Sequence, residues 1–305
     1  MKNLTLIITL LVMALTMTTS CEKPYMGDIT GVSDGDEEPN LVLRVVTTDA
    51  KAMTRADGDA FWNRINFAIY QNGKKVKGVN QVADDDSYGQ VELTLEAGTY
   101  QVLVLAHSSD GNPTTTDAEK IQFTNALGFS DTFYYYGSIT VTGQQQTHNI
   151  TLNRVTAMLR FIINDEIPAN VSNLKFYYTG GSGALNATTG FGCVDSKQTV
   201  VKVIDRTSMT RPYSFDLYTI PKEPTAKLNL TVTAYDETQT VVYEREFKGI
   251  GVETNKITEF SGNFFINQPT PGDDDPHSGE QPTAGNDIFM ISANTDWAGT
   301  ISHSY

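Results

Sequence analysis

The residues able to bind a metal or attack a bond are few and scattered. The chain has four histidines, His107, His148, His277 and His303. They fall in separate turns, linkers or termini, and none has a second His or a Cys at ligand spacing. HExxH does not occur. The GGSG at 180–183 lacks the Lys-Ser/Thr of a phosphate loop and reads as a turn. Asp84-Asp85-Asp86 and Asp273-Asp274-Asp275 could hold calcium weakly, but they lack the spaced ligands of a dedicated loop. They are expected to be solvated. Paired carboxylates for glycoside chemistry leave no linear signature. No catalytic residue, metal or cofactor is expected, and a hydrolase is the least favoured reading.

The residue with a chemical role written in its context is Cys21. Lys2 supplies a positive charge, LTLIITLLVMALTM at 4–17 an apolar core, and Thr18, Thr19 and Ser20 a small-residue exit. That order makes an export signal over residues 1–20. The apolar run is shorter than the ~20 residues a membrane-spanning helix needs. A Cys directly after such a signal is similar to the bacterial lipobox, with Leu15 and Ser20 as a loose match, so Cys21 is the expected lipidation site. The alternative is an ordinary secretory signal followed by an unrelated Cys.

Charge and cysteine usage narrow the partners. There are 22 Lys and Arg against 36 Asp and Glu, a net charge of −14. Nucleic acid demands a basic footprint and is excluded as a partner. Electrostatic docking on an anionic membrane is equally disfavoured, which leaves acyl chains to do the anchoring. If Cys21 is lipidated, only Cys193 remains, so no intrachain disulfide can form and packing must supply the stability. Cys193, in TGFGCVD, reads as a small buried hydrophobe.

What positions these residues is a chain of short strands. Residues 21–40 are acidic and rich in Gly and Pro, and read as a flexible tether. From Leu41 the apolar period is two. Leu41, Leu43 and Val45 alternate, as do Ile65, Phe67 and Ile69. Asn72-Gly73 predicts a type I′ hairpin turn. Val91 to Leu95 and Tyr100 to Val104, broken at Ala97-Gly98, read as a second hairpin. Phe129 to Tyr136 is aromatic-rich. Its run Tyr134-Tyr135-Tyr136 offers core, interface or a carbohydrate platform, with at least one ring in the core. A second round of alternation runs from Arg154 through Leu159, Phe161 and Ile163 to Ile266. No sustained helical period appears, and only short helical turns around 57–63 or 118–127 remain open. Many short strands without βαβ spacing predict an all-β protein of antiparallel sandwiches, at about 41–150 and 151–267.

Residues 268–285 form an acidic Pro/Gly linker, and apolar residues return in 286–305. Asp287, Ile288, Phe289, Met290 and Ile291 read as a single strand. A lone strand is unstable, so the segment either pairs with a sheet edge, on its own second domain or on another subunit, or stays disordered.

Several segments together resemble the Bacteroidales fimbrillin-like lipoproteins, the anchor-type fimbrial subunit family of Bacteroides and Porphyromonas relatives. They are the signal ending at Cys21, NLVLRVVT at 40–47, Thr54-Arg55-Ala56 and LEAGTY at 95–100. ITLNRVTA at 150–157, Asn255-Lys256-Ile257 and Ser261-Gly262-Asn263-Phe264 complete the set. The resemblance implies two tandem transthyretin-like β-sandwich domains and a structural or anchoring role in adhesive fimbriae at the outer membrane. It implies other fimbrial subunits as partners, with a host or bacterial surface receptor beyond them. In polymerising members an arginine-specific protease removes the N-terminal strand, and a strand from another subunit fills the groove. Arg44, within a strand, and Arg55, in a polar loop, are the positions here, and both stay open. Anchor subunits keep this segment and the lipid. The 268–305 appendix departs from a plain anchor. A surface glycan-binding lipoprotein is the alternative function with the same layout.

Overall fold

The computed structural model describes residues 38–46, 62–124 and 128–265. Their regular structure is strand, without a helix. The first half contributes β1 (Leu41–Val46), β2 (Arg64–Gln71), β3 (Lys74–Val82), β4 (Gln90–Leu93), β5 (Gly98–His107), β6 (Ile121–Gln122), β7 (Phe133–Val141), β8 (Gln146–Thr151) and β9 (Asn153–Arg154). The second contributes β10 (Ala157–Ile163), β11 (Asn173–Thr179), β12 (Ala184–Asn186), β13 (Phe191–Gly192), β14 (Gln198–Val203), β15 (Tyr213–Thr219), β16 (Thr225–Tyr235), β17 (Val241–Glu253) and β18 (Ile257–Gly262).

One strand order occurs twice. The first half has a three-strand sheet β4-β1-β8 facing β3-β2-β5-β7, to which β9 adds an edge. The second half has β15-β10-β18 and β14-β11-β16-β17. Each opening strand, β1 or β10, is central in its small sheet. Each is antiparallel to one neighbour and parallel to the other, β8 or β18. The sheets are otherwise antiparallel. Alternation sets the faces, because side chains point to opposite sides at successive residues. Leu41, Leu43, Val45, Ile65, Phe67, Ile69, Val102 and Val104 thus share the first core. Leu159, Phe161, Phe176, Leu217 and Val232 share the second. The β2–β3 hairpin turns at Asn72 and Gly73 with φ of 52° and 75°, as a type I′ turn requires.

A third apolar cluster lies on the outer face of β2 and β5. Ala68, Tyr70, Leu103 and Leu105 pack there against Ile121, Phe123, Phe129, Val155, Leu185 and Ile220. Two insertions supply most of this cover, and Val155 and Ile220 complete it. One insertion, between β5 and β7, carries β6. The other, between β11 and β14, carries β12 and β13. They pair in a sheet β13-β12-β6, with Leu185 opposite Ile121. Each large side chain buried here contributes about 1.5–3 kcal/mol, so exposing the cluster would remove most of a usual net stability of about 5–15 kcal/mol.

Three expectations change. β4 and β5 do not form a hairpin. β4 pairs with β1 in one sheet and β5 with β2 and β7 in the other, so residues 94–97 cross the sandwich. Residues 117–120 make a turn and not a helical segment, because Ile121 is drawn into the β6–β12 pairing. His107 ends β5, fully buried, and does not lie in an open turn. Its Nδ1 accepts from the Ser109 amide at 3.1 Å, so Nε2 donates to Asn66 Oδ1 at 2.8 Å. Asn66 in turn donates to Asn80 and Asn112.

Burial, with the nearby Arg64 charge, lowers the His107 pKa from 6.5 to about 4. Between those values the unfolded chain binds a proton that the folded chain does not, so stability falls as pH drops through that window. The loss expected from this group is about 3 kcal/mol, at 1.36 kcal/mol per unit. Urea unfolding of wild type and His107→Gln at pH 7.5 and 4.5 checks it. The variant should show the smaller difference between the two pH values.

Candidate functional site

Strand β1 and the slot it fills form the site that the fold builds most carefully. Leu41 and Leu43 are fully buried and Val45 nearly so, and all three face the first core. Hydrogen-bonded neighbours flank β1 on both sides. Leu41 to Arg44 run antiparallel to Leu93 to Gln90, and Leu41 to Val46 run parallel to Gln146 to Thr151. Asn40 closes the start of the slot. Its side chain donates to Leu95 O at 2.7 Å and accepts from Leu95 N at 3.1 Å, while its carbonyl accepts from Gln146 N at 3.0 Å. At the other end Val45 N donates to Gly89 O at 2.8 Å.

The β4 wall of the slot is held by a residue with no signal in the sequence. Gln81, on β3 of the opposite sheet, is buried. Its Oε1 accepts from Gly89 N at 2.9 Å, and its Nε2 donates to Gln90 O at 2.7 Å and Ser87 O at 3.0 Å. Gly89 adopts a φ of 85°, a backbone that disfavours other residues. The side-chain amide thus imitates a strand edge and brings β4 onto β1.

Of the residues singled out from the sequence, Arg44 is on β1 with its side chain outward. Its Nε and Nη2 donate to Gln90 Oε1 at 3.0 and 2.9 Å. The peptide bond after it sits between two ladders. Cys21, Arg55 and Asp287 to Ile291 lie outside the described residues, as do Asp273 to Asp275, His277 and His303. His148 is on β8, opposite Leu43. Asp85 Oδ2 accepts from Val82 N at 2.8 Å, a turn-closing role. Cys193 is exposed and not buried, because Phe191-Gly192 ends in the insertion sheet and turns it outward. The tyrosines divide. Tyr135 faces the first core, and Tyr134 and Tyr136 face the third cluster. Among the described residues no group of three or more His, Cys, Asp or Glu is placed to hold a metal.

The second half has the same slot with a different lock. On β10, Arg160 donates to both carboxylate oxygens of Asp216 on β15, at 2.7 and 3.0 Å, and lies 3.7 Å from Glu259 on β18. The Asp216 hydrogen bonds hold the Arg160 pKa above its ordinary value. β10 is also joined to β9 by only Val155 and Thr156.

An all-strand body of packed sheets with a duplicated strand order places the chain among the β-sandwich proteins. Residues 33–289 match a family described as a family of unknown function (DUF6562), and the chain belongs to that family. No curated protein matches it. Its fold is similar to that of a candidate polysaccharide-binding protein (DUF1812) from Bacteroides thetaiotaomicron, with a TM-score of 0.52 at 14% identity, over 87% of this chain and 98% of the other. The fimbrial anchor protein Mfa2 from Porphyromonas gingivalis aligns with a TM-score of 0.46 at 12% identity, over 88% and 100% of the two chains. A fimbrial assembly protein from Parabacteroides distasonis aligns with a TM-score of 0.43 at 13% identity, over 88% and 99%.

Replacing Gln81 by Ala strands the Gly89 amide and the Gln90 carbonyl, at a cost of about 1–3 kcal/mol. The effect should concentrate on the slot. Trypsin is expected to cut after Arg44 faster in Gln81→Ala than in wild type, as read by mass spectrometry of timed digests. Equal rates would show that Gln81 does not hold β1.

Proposed function

We propose that this protein is an exported, lipid-anchored subunit of surface fimbriae whose first strand holds a groove for a strand of another subunit. The observation that carries this reading is the position of β1. Among the described residues it pairs only with β4 and β8, and the next described strand, β2, lies in the other sheet. Withdrawing β1 therefore breaks two ladders and leaves every other pairing intact. β10 has no such freedom, since β9 and the Arg160 ion pairs hold it in place.

An empty slot would not persist. Leu41, Leu43 and Val45 each contribute about 1.5–3 kcal/mol of burial, and both flanking ladders would lose their partners. The replacement must run parallel to β8 and antiparallel to β4, with apolar residues at alternate positions. Phe289 and Ile291 on one face and Ile288 and Met290 on the other meet that pattern. The C-terminal segment is thus the donor in this reading, giving strand addition between subunits. Processing is assigned to Arg55. The bond after Arg44 is paired on both sides and reaches a protease only once β1 has already left. Cys21 carries the lipid that retains the subunit at the outer membrane until the cut.

Mass spectrometry of fibres recovered from cells tests the proposal. The expected N-terminus in fibres is Ala56, with acylated Cys21 peptides confined to the cell envelope. Arg55→Gln should leave the protein in the envelope, and a chain lacking 286–305 should fail to enter fibres. An uncut, acylated Cys21 peptide within the fibres would make the protein a permanent anchor. Its absence from fibres altogether would overturn the assembly role.

A further inference from the structure

A second site lies away from β1, on the outer face of β7. Tyr134 and Tyr136, two residues apart, point to the same side of the sheet. Each lines one of two hollows. The first, of about 180 Å³, is bounded by Tyr136, Tyr70, Gln101, Asp117, Glu119 and Thr188. The second, of about 420 Å³, is bounded by Tyr134, Asn153, Arg154, Phe191, Glu253 and Thr254, among others. The turn between β12 and β13 stands between them, with Thr188 on one side and Thr189 and Gly190 on the other.

We infer that these paired hollows bind a neutral saccharide. A sugar ring offers an apolar C–H face and a rim of hydroxyls that both donate and accept. Tyrosine rings offer flat apolar surface with a polar tip, and carboxylates and amides fix hydroxyls in place. Both kinds of group meet here. The charges of the second hollow are already satisfied. Arg154 donates to both oxygens of Asp131, at 2.9 and 3.0 Å, and to Asn255. Glu253 is paired with Lys256. The first hollow carries the carboxylates Asp117 and Glu119, and the whole chain is acidic. Acidic sugars are repelled by such a surface, while neutral hydroxyls donate to it.

Two further features mark a prepared surface. The turn is rigid. Asn186 Oδ1 accepts from the amide and the hydroxyl of Thr188, at 2.9 and 2.7 Å. Gly190 has a φ of 78°, and a side chain there would collide with the Tyr134 hydroxyl. Burial also holds the Tyr134 and Tyr136 hydroxyls above their ordinary pKa, so both remain neutral donors.

Native affinity electrophoresis of the whole protein tests the inference. The gels contain dextran, yeast mannan, xyloglucan or galactomannan, with pectin and heparin as acidic comparisons. Retardation by at least one neutral polysaccharide is expected, and none by the acidic pair. Glu119→Ala and Gln101→Ala alter the hollow without removing a core side chain. Each should weaken retardation about tenfold, the loss expected for one hydrogen bond to a charged or well-placed group. Tyr136→Ala should do the same or more. No retardation by any neutral polysaccharide, retardation by the acidic pair alone, or retardation unchanged in all three variants would overturn the site. None of these outcomes bears on strand exchange at β1, so the two readings fail separately.

Discussion

Two strands, β2 and β5, are buried on both faces, and the arrangement of the whole body follows from that. Val102, Val104 and Ala106 of β5 look into the first core, while Leu103 and Leu105 look into the third cluster. A strand with two apolar faces must be covered twice. The small sheet containing β1 covers one side. Nothing in the duplicated strand order covers the other, so the two insertions do most of it, by pairing β6 with β12. The halves are therefore joined by necessity, because the first half cannot hide its own outer face.

The same strand order holds its two opening strands differently. β1 and β10 occupy equivalent places, central in a small sheet with one parallel and one antiparallel neighbour. They differ in what holds their side chains and their chain ends. β10 is fixed by the Arg160–Asp216 pair, which lies across its antiparallel ladder, and by its short link to β9. β1 has the Asn40–Leu95 hydrogen bonds at its start and, on its outer face, exposed hydrogen bonds from Arg44 to Gln90. An exposed contact of that kind contributes little against solvent. What keeps β1 in place is its apolar face and the two ladders, and another strand of the same pattern supplies both equally well.

Much of this was legible in the sequence, for a physical reason. Alternation reports which face is buried, so Leu41, Leu43 and Val45, and Leu159, Phe161 and Ile163, could be assigned before any coordinates. Asn72-Gly73 identified its turn because few residues tolerate two positive φ angles in a row. Alternation does not report which sheet a strand joins. That is why residues 91–104 read as a hairpin when the chain in fact crosses the sandwich. Strands of two or three residues, as in β6, β12 and β13, carry no period at all. The cover over β2 and β5 was therefore invisible, and with it the outward turn of Cys193. Gln81 and His107 act through side-chain hydrogen bonds that exist only once the strands are placed in space, and such contacts have no linear signature. Tyr135, in the middle of an aromatic run, is the core residue, while its neighbours Tyr134 and Tyr136 line the hollows.

The two faces of the large first-half sheet separate the two activities proposed for the molecule. β1 adds its side chains to the first core only. Tyr134 and Tyr136 sit on the far side, where the second half and the insertions provide their surroundings. Exchange of β1 for another strand restores the inner face of that sheet and leaves the outer face packed as before. Sites that share no partners contribute nearly additively. If β1 is removed and replaced as proposed, the surface proposed to face a ligand stays unchanged, and assembly and recognition would not compete for the same residues.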